Sequence, residues 1–220
     1  MAFPGYINYE DSNLWVACLC IVFNPLYWNA LARWEYRTKW LSRFTGQYIG
    51  CSLLAVNILI FGLYRDWRFQ VALQSQPGWW YLRRNFFLWP GHAFVLLGSI
   101  LVITSFWKLG FFGTFLGDYF GIHLPKRVSG FPFNLFSHPM YLGSFLNFLG
   151  IALIQASQAG IFLSVIVYIM YKVAIMLEEP FTDMIYAGLE NDKEEIEEEE
   201  ESTGSEEAVS NDVNDKPKTA

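Results

Sequence analysis

Residues 46–64 carry no charged side chain, and an apolar run of about 20 residues is long enough to cross the hydrocarbon of a bilayer. In that setting every backbone polar group must be satisfied internally, so the run can only be a helix or part of a closed barrel. Arg65, Asp66 and Arg68 end it. Residues 90–107 form a second run, with Gly91, Gly98 and Ser99 as small residues, and residues 160–177 form a third. The fold class expected is an all-α integral membrane protein with three transmembrane helices.

Two further apolar segments qualify that count. Residues 14–32 are long enough to span, but Asn24-Pro25 and Asn29 interrupt them. Proline removes a backbone donor and kinks a helix, which favours a bent, partly interfacial N-terminal intramembrane helix. Trp28, Trp34 and Tyr36, with Arg33, Arg37 and Lys39, then read as an anchor at the headgroup level. Residues 140–154 make about four turns, short for a crossing, and read as a short membrane helix before the last span. Gly143, Asn147 and Gly150 form one small and polar stripe on it.

Between these lies an irregular region. Residues 110–121 hold four glycines among aromatics, which argues against a regular helix throughout. Asp118, the sole carboxylate between Asp66 and Glu178, is either a solvated loop residue or a partner for a cationic ligand. On the last span Ser164, Tyr168, Lys172 and Glu179 share one face, and Tyr171 and Glu178 line the neighbouring strip. A polar entry at Ser137-His138-Pro139, a buried Lys172 and the pair Glu178-Glu179 are costly beside lipid, and an intramembrane ionisable residue is a functional-site hypothesis by default.

Charge narrows the partners. Of 21 acidic residues, 16 lie at or after Glu178, so the preceding body holds 12 Lys/Arg against 5 Asp/Glu. A basic membrane-facing body suits anionic headgroups rather than nucleic acid. Cys18, Cys20 and Cys51 sit inside apolar runs, and His92, His123 and His138 are scattered. Neither pattern makes a metal site or a disulfide framework. There is no P-loop, no G-x-S-x-G and no dinucleotide fingerprint. The first 13 residues contain Glu10 and Asp11 but no basic residue, so a cleavable signal peptide is not expected.

Several blocks match one family in order. They are Asn24-Pro25-Leu26-Tyr27-Trp28-Asn29, Ala32-Arg33-Trp34-Glu35, the run Gly113 through Gly121, Pro139-Met140-Tyr141, and Glu178-Glu179-Pro180-Phe181-Thr182. In these the chain resembles the phosphatidylethanolamine N-methyltransferases of animals and the phospholipid methyltransferases of fungi. The resemblance implies stepwise methylation of phosphatidylethanolamine to phosphatidylcholine with S-adenosylmethionine as methyl donor. It also implies residence in the endoplasmic reticulum, extending to mitochondria-associated membrane. For the cofactor it implies Glu178 and Glu179, and a G-x-G that falls on Leu96, Leu97 and Gly98, with leucine where the family carries the first glycine. The His138-Pro139-x-Tyr141-x-Gly143 pattern is similar to that of the wider superfamily of membrane methyltransferases and sterol reductases.

A sulfonium, an ammonium and ribose hydroxyls suit paired carboxylates, and such contacts strengthen in a low dielectric. Asp118, His138, Tyr141 and one of the glutamates are candidates for the base that takes the proton from the headgroup amine. The alternatives left open are a related membrane methyltransferase or nicotinamide-dependent reductase with another acceptor, isoprenylcysteine or a sterol, and a catalytically inactive lipid-binding scaffold.

The organisation expected is a lumenal segment at 1–13, the membrane methyltransferase domain at 14–189 and a disordered acidic cytosolic tail at 190–220. Lys216 and Lys218 give the K-x-K-x-x retrieval pattern that coat proteins read on the cytosolic face of the endoplasmic reticulum. With a cytosolic tail and three spans, residues 65–89 fall on the tail's side, and the N-terminus and residues 110–139 face the lumen or the membrane.

Overall fold

The computed structural model describes residues 7–79, 82 and 85–214. Among the described residues six α-helices follow one another: α1 Ser12–Thr38, α2 Trp40–Thr45, α3 Gln47–Ser75, α4 Asn85–Thr114, α5 Pro139–Ile154 and α6 Gln158–Asn214. A 3-10 turn at Gly117–Phe120 lies between α4 and α5. Among the described residues the only β feature is an isolated bridge between Gly78 and Ser157. The chain divides into two compact units, Met1–Glu179 and Pro180–Ala220.

Among the described residues four helices are long and apolar enough to cross a membrane, and α1 is one of them. It continues through Pro25 rather than turning back. Asn29, four residues on, donates to the Pro25 carbonyl at 3.1 Å. Leu14, Ala17 and Ile21 of α1 pack with Phe69, Ala72 and Leu73 of α3, and Asn24 donates to the Phe61 carbonyl at 3.0 Å. The two helices therefore lie antiparallel along much of their length.

That pairing corrects the expected sidedness. The Asn8 amide donates to Gln76 Oε1, and Gln76 returns a bond to the Asn8 carbonyl, each at 2.8 Å. Asp11, which caps α1, accepts from Ser75 at 2.5 Å and Gln76 at 3.1 Å. The Ser75 bond, the largest influence, helps hold its carboxyl below the ordinary range. The N-terminal end of α1 thus shares one end of the body with residues 75–79. Glu178 and Glu179 lie at the other end with the close of α1 and the start of α5. Residues 65–89 were expected beside the end of the last span, and the chain instead leads away from it beyond α3. The expected count omitted α5, which carries the chain from the His138 end back to Ser157, where it bridges Gly78.

α5 is 16 residues long, about 24 Å, against roughly 30 Å of hydrocarbon. It pairs with α4 through glycines. A Cβ on Gly98 would lie 2.5 Å from the Gly143 carbonyl, and one on Gly150 would lie 2.7 Å from the Gly91 carbonyl. The expected stripe of Gly143, Asn147 and Gly150 is this seam, where small residues let backbones approach. Gly110 at φ 67°, ψ −175° breaks the helical path within α4, and irregular backbone fills the distance from there to α5. Non-helical chain at this depth is tolerated where protein covers it or it lines a cavity. Tyr119 and Phe120 of the 3-10 turn are buried.

Within the second unit α6 continues to Asn214. Lys216 and Lys218 lie outside the described residues.

Candidate active site

Three helices converge on one carboxylate. On α6, Tyr171 and Glu178 are seven residues apart and so share a strip. Trp28 and Asn29 of α1 each donate to Glu178 Oε1 at 2.9 Å, and the Tyr141 hydroxyl of α5 donates to Oε2 at 2.6 Å. Burying a carboxylate costs several kcal/mol, and hydrogen bonds to a charged group return about 1.5–3 kcal/mol each. The three donors are neutral, so they satisfy the oxygens without cancelling the charge. Asn29 Oδ1, buried beside them, has no hydrogen-bond partner among the described residues. Arg33 donates to the Leu177 carbonyl and ties α1 to α6 one residue before Glu178.

A cavity of about 870 Å³ opens from this carboxylate. Glu178, Trp28, Tyr141, Tyr171, Arg65 and Asp66 give it polar groups, and α3 and α4 give it apolar walls through residues such as Leu63, Ile103 and Trp107. Those three side chains are exposed, and α3 and α4 scarcely touch. The cavity is therefore accessible laterally, from where lipid lies. A second cavity of about 400 Å³ is lined by His138, Tyr168 and Lys172 among others, and it shares Tyr141 and Tyr171 with the first. The two shared rings are 5.0 Å apart between centroids. They form a partition.

The expected site residues separate under this geometry. Glu178 and Tyr141 meet. Glu179 is 46% exposed and faces His138, with Nε2 and Oε1 3.5 Å apart, on the side of the smaller cavity. Asp118 sits in the 3-10 turn with His123 Nδ1 at 3.3 Å and lines neither cavity.

Leu96 and Leu97 are 63% and 52% exposed, and Gly98 is closed into the seam with α5. None of the three lines either cavity. The nearest α4 residue that lines the larger one is Val102, about 9 Å along the axis from Leu96 by helical rise. Leu96→Gly is therefore expected to leave the activity of the site within about twofold and to cost about 1 kcal/mol of helix stability. Parallel assays and thermal melts in detergent would check this.

Lys172, expected buried, is exposed and lies 5.8 Å from the Tyr168 ring centroid. The inward strip of α6 is Tyr171 and Glu178. Trp28 and Arg33, read as interfacial anchors, and Asn29, read as an interruption, instead build the site. The available signal was polar side chains inside an apolar segment, which expectation spent on a kink.

The phospholipid methyltransferase family model matches residues 86–188. A *Saccharomyces cerevisiae* phosphatidyl-N-methylethanolamine N-methyltransferase is 44% identical over 188 residues, covering 85% of this chain and 91% of the relative. A *Homo sapiens* phosphatidylethanolamine N-methyltransferase is 47% identical over 183 residues, covering 83% and 92%. Phosphatidylethanolamine N-methyltransferase A of *Dictyostelium discoideum* is 43% identical over 184 residues, covering 83% and 86%. No solved structure matches the chain.

Proposed function

The chain belongs to the phospholipid methyltransferase family, and we propose that it methylates the amine of phosphatidylethanolamine and its mono- and dimethyl forms, yielding phosphatidylcholine. The observation that carries the reading is Glu178, a carboxylate bound by three neutral donors at the end of a laterally accessible cavity. With the partnerless Asn29 Oδ1 beside it, the set offers acceptors and net negative charge. That fits a cation.

Glu178 and Glu179 would hold S-adenosylmethionine, which supplies the electrophilic methyl group. Tyr141 and Trp28 fix the Glu178 carboxylate, so little reorganisation accompanies binding. Displacement at a methyl carbon is in line, and the chain contributes positioning and exclusion of water. The Tyr141–Tyr171 pair closes the larger cavity beside Glu178 and suits that requirement, with the lipid amine approaching through that cavity. Within the larger cavity, Glu178, directly or through the Tyr141 hydroxyl, takes the proton the amine sheds. As methyls accumulate, the Trp28 and Tyr141 faces suit a choline-like cation. Residence in the endoplasmic reticulum with a cytosolic C-terminus is supported by the Lys216-Pro217-Lys218 pattern, which would engage coat proteins.

The test uses microsomes from cells lacking their own methyltransferases, expressing this chain and given labelled S-adenosylmethionine with each phospholipid acceptor. Label in mono-, di- or trimethylated lipid is expected. Folded, inserted protein that labels none overturns the reading, and label on isoprenylcysteine or sterol instead would redirect it. A second variant probes the cavity. Gly62 lines it, and a Cβ there meets nothing within 4 Å. Gly62→Leu is expected to gain up to about 1 kcal/mol of helix stability while raising the lipid KM, read from melts and initial rates.

A further inference from the structure

Arg65 lies ten residues before the end of α3, within a membrane-crossing helix. A guanidinium buried there is expensive and calls for a reason. Its Nε and Nη2 both reach Asp66 Oδ1, at 2.9 and 2.8 Å, and Nη1 donates to the Tyr171 hydroxyl at 3.1 Å. The group stands over the Phe148 ring, 5.0 Å from its centroid. Of a guanidinium's five N–H donors, these bonds engage three and leave two. The Arg65 side chain is only 12% exposed, yet it lines the larger cavity.

A purely structural staple explains this poorly. Asp66 is the next residue on the same helix and half exposed, so their pairing joins no two elements. The bond to Tyr171 asks for a donor, which a neutral side chain also supplies. What an arginine adds is a charged planar fork, suited to a phosphate.

The spacing agrees with a zwitterion. Arg65 is held at Tyr171, and Glu178 lies seven residues further along α6, about 10 Å by helical rise. An ethanolamine headgroup carries its ammonium and phosphate at the two ends of an N–C–C–O–P chain. With contacts of about 3 Å at each end, that unit bridges such a separation. The exposed apolar side chains of α3 and α4 then adjoin where acyl chains would lie.

We propose that Arg65 binds the phosphodiester of the phospholipid acceptor and so presents its amine to Glu178. This makes Arg65 the residue that selects phosphate-bearing acceptors. It rests on the methyltransferase reading above.

The experiment compares wild type with Arg65→Gln and Arg65→Lys on two acceptors. One is phosphatidyl-N-methylethanolamine, and the other is a diacylglycerol joined through an uncharged carbamate to one nitrogen of N-methylethylenediamine, which leaves the methylamine free to accept. On the phospholipid, Arg65→Gln is expected to raise the lipid KM at least about tenfold, with Arg65→Lys between. The KM for S-adenosylmethionine should stay unchanged. On the carbamate lipid the three proteins should perform alike, which a merely structural role would not produce. An unchanged lipid KM, an equal loss on both acceptors, or a shifted donor KM would overturn the assignment. Should Arg65→Gln fail to accumulate, Arg65→Lys is judged by the same comparison. A wild type that labels neither lipid refutes the methyltransferase reading itself, separately from Arg65.

Discussion

Glu178→Gln is expected to lower methyl transfer by about a hundredfold or more while folded protein remains in the membrane. The carboxamide keeps the shape and one acceptor oxygen for Trp28 and Asn29, and its NH2 can donate to the Tyr141 hydroxyl that formerly donated to Glu178. Packing therefore survives and charge does not. Glu179→Gln is the comparison, and its effect should be smaller, because Glu179 is 46% exposed with His138 at 3.5 Å as its recorded partner. Initial rates with labelled donor, beside binding of the donor to purified protein, separate the two carboxylates. Retention of activity within a few-fold in Glu178→Gln would mean that the cation is held elsewhere.

Gly98→Val should prevent accumulation of folded protein. A Cβ at Gly98 would stand 2.5 Å from the Gly143 carbonyl and 2.7 Å from Asn147 Oδ1. The first obstacle is backbone and cannot turn aside. Forcing extra atoms into a packed contact costs about 1–3 kcal/mol where the surroundings yield, and here α4 and α5 must separate. Gly98→Ala should show the same direction as a lowered melting temperature in detergent. The contrast with Leu96→Gly, two positions away, is the informative part. A Gly98→Ala protein that melts like wild type would exclude the seam.

Much of the fold is legible along the chain. The span at 46–64 falls inside α3 apart from its N-cap Gly46, and the short helix expected at 140–154 is α5 at Pro139–Ile154. Glu178 stood out because a carboxylate beside lipid demands partners. Of its partners Tyr141 stood out too, but the two from α1 did not. Trp28 and Asn29 lie some 150 residues away in sequence, and belt tryptophans and kink asparagines look the same in one dimension. Arg65 resembled a charge ending a span, since its burial depends on Tyr171 and Phe148.

Length, charge and helical rise are local quantities, and the sequence alone determined from them a bundle of membrane helices carrying one costly acidic pair. The rotation of each helix about its axis was decided only by the tertiary structure. It turns Gly98 to α5, Leu96 outward, and Glu178 rather than Glu179 to the larger cavity. The reason is physical. In a bilayer, lipid tails are as apolar as leucine, so burial gives little preference for which apolar face turns inward. Close packing of glycines and the bonding of polar groups from other helices make that choice, and neither is written in the periodicity of a single segment.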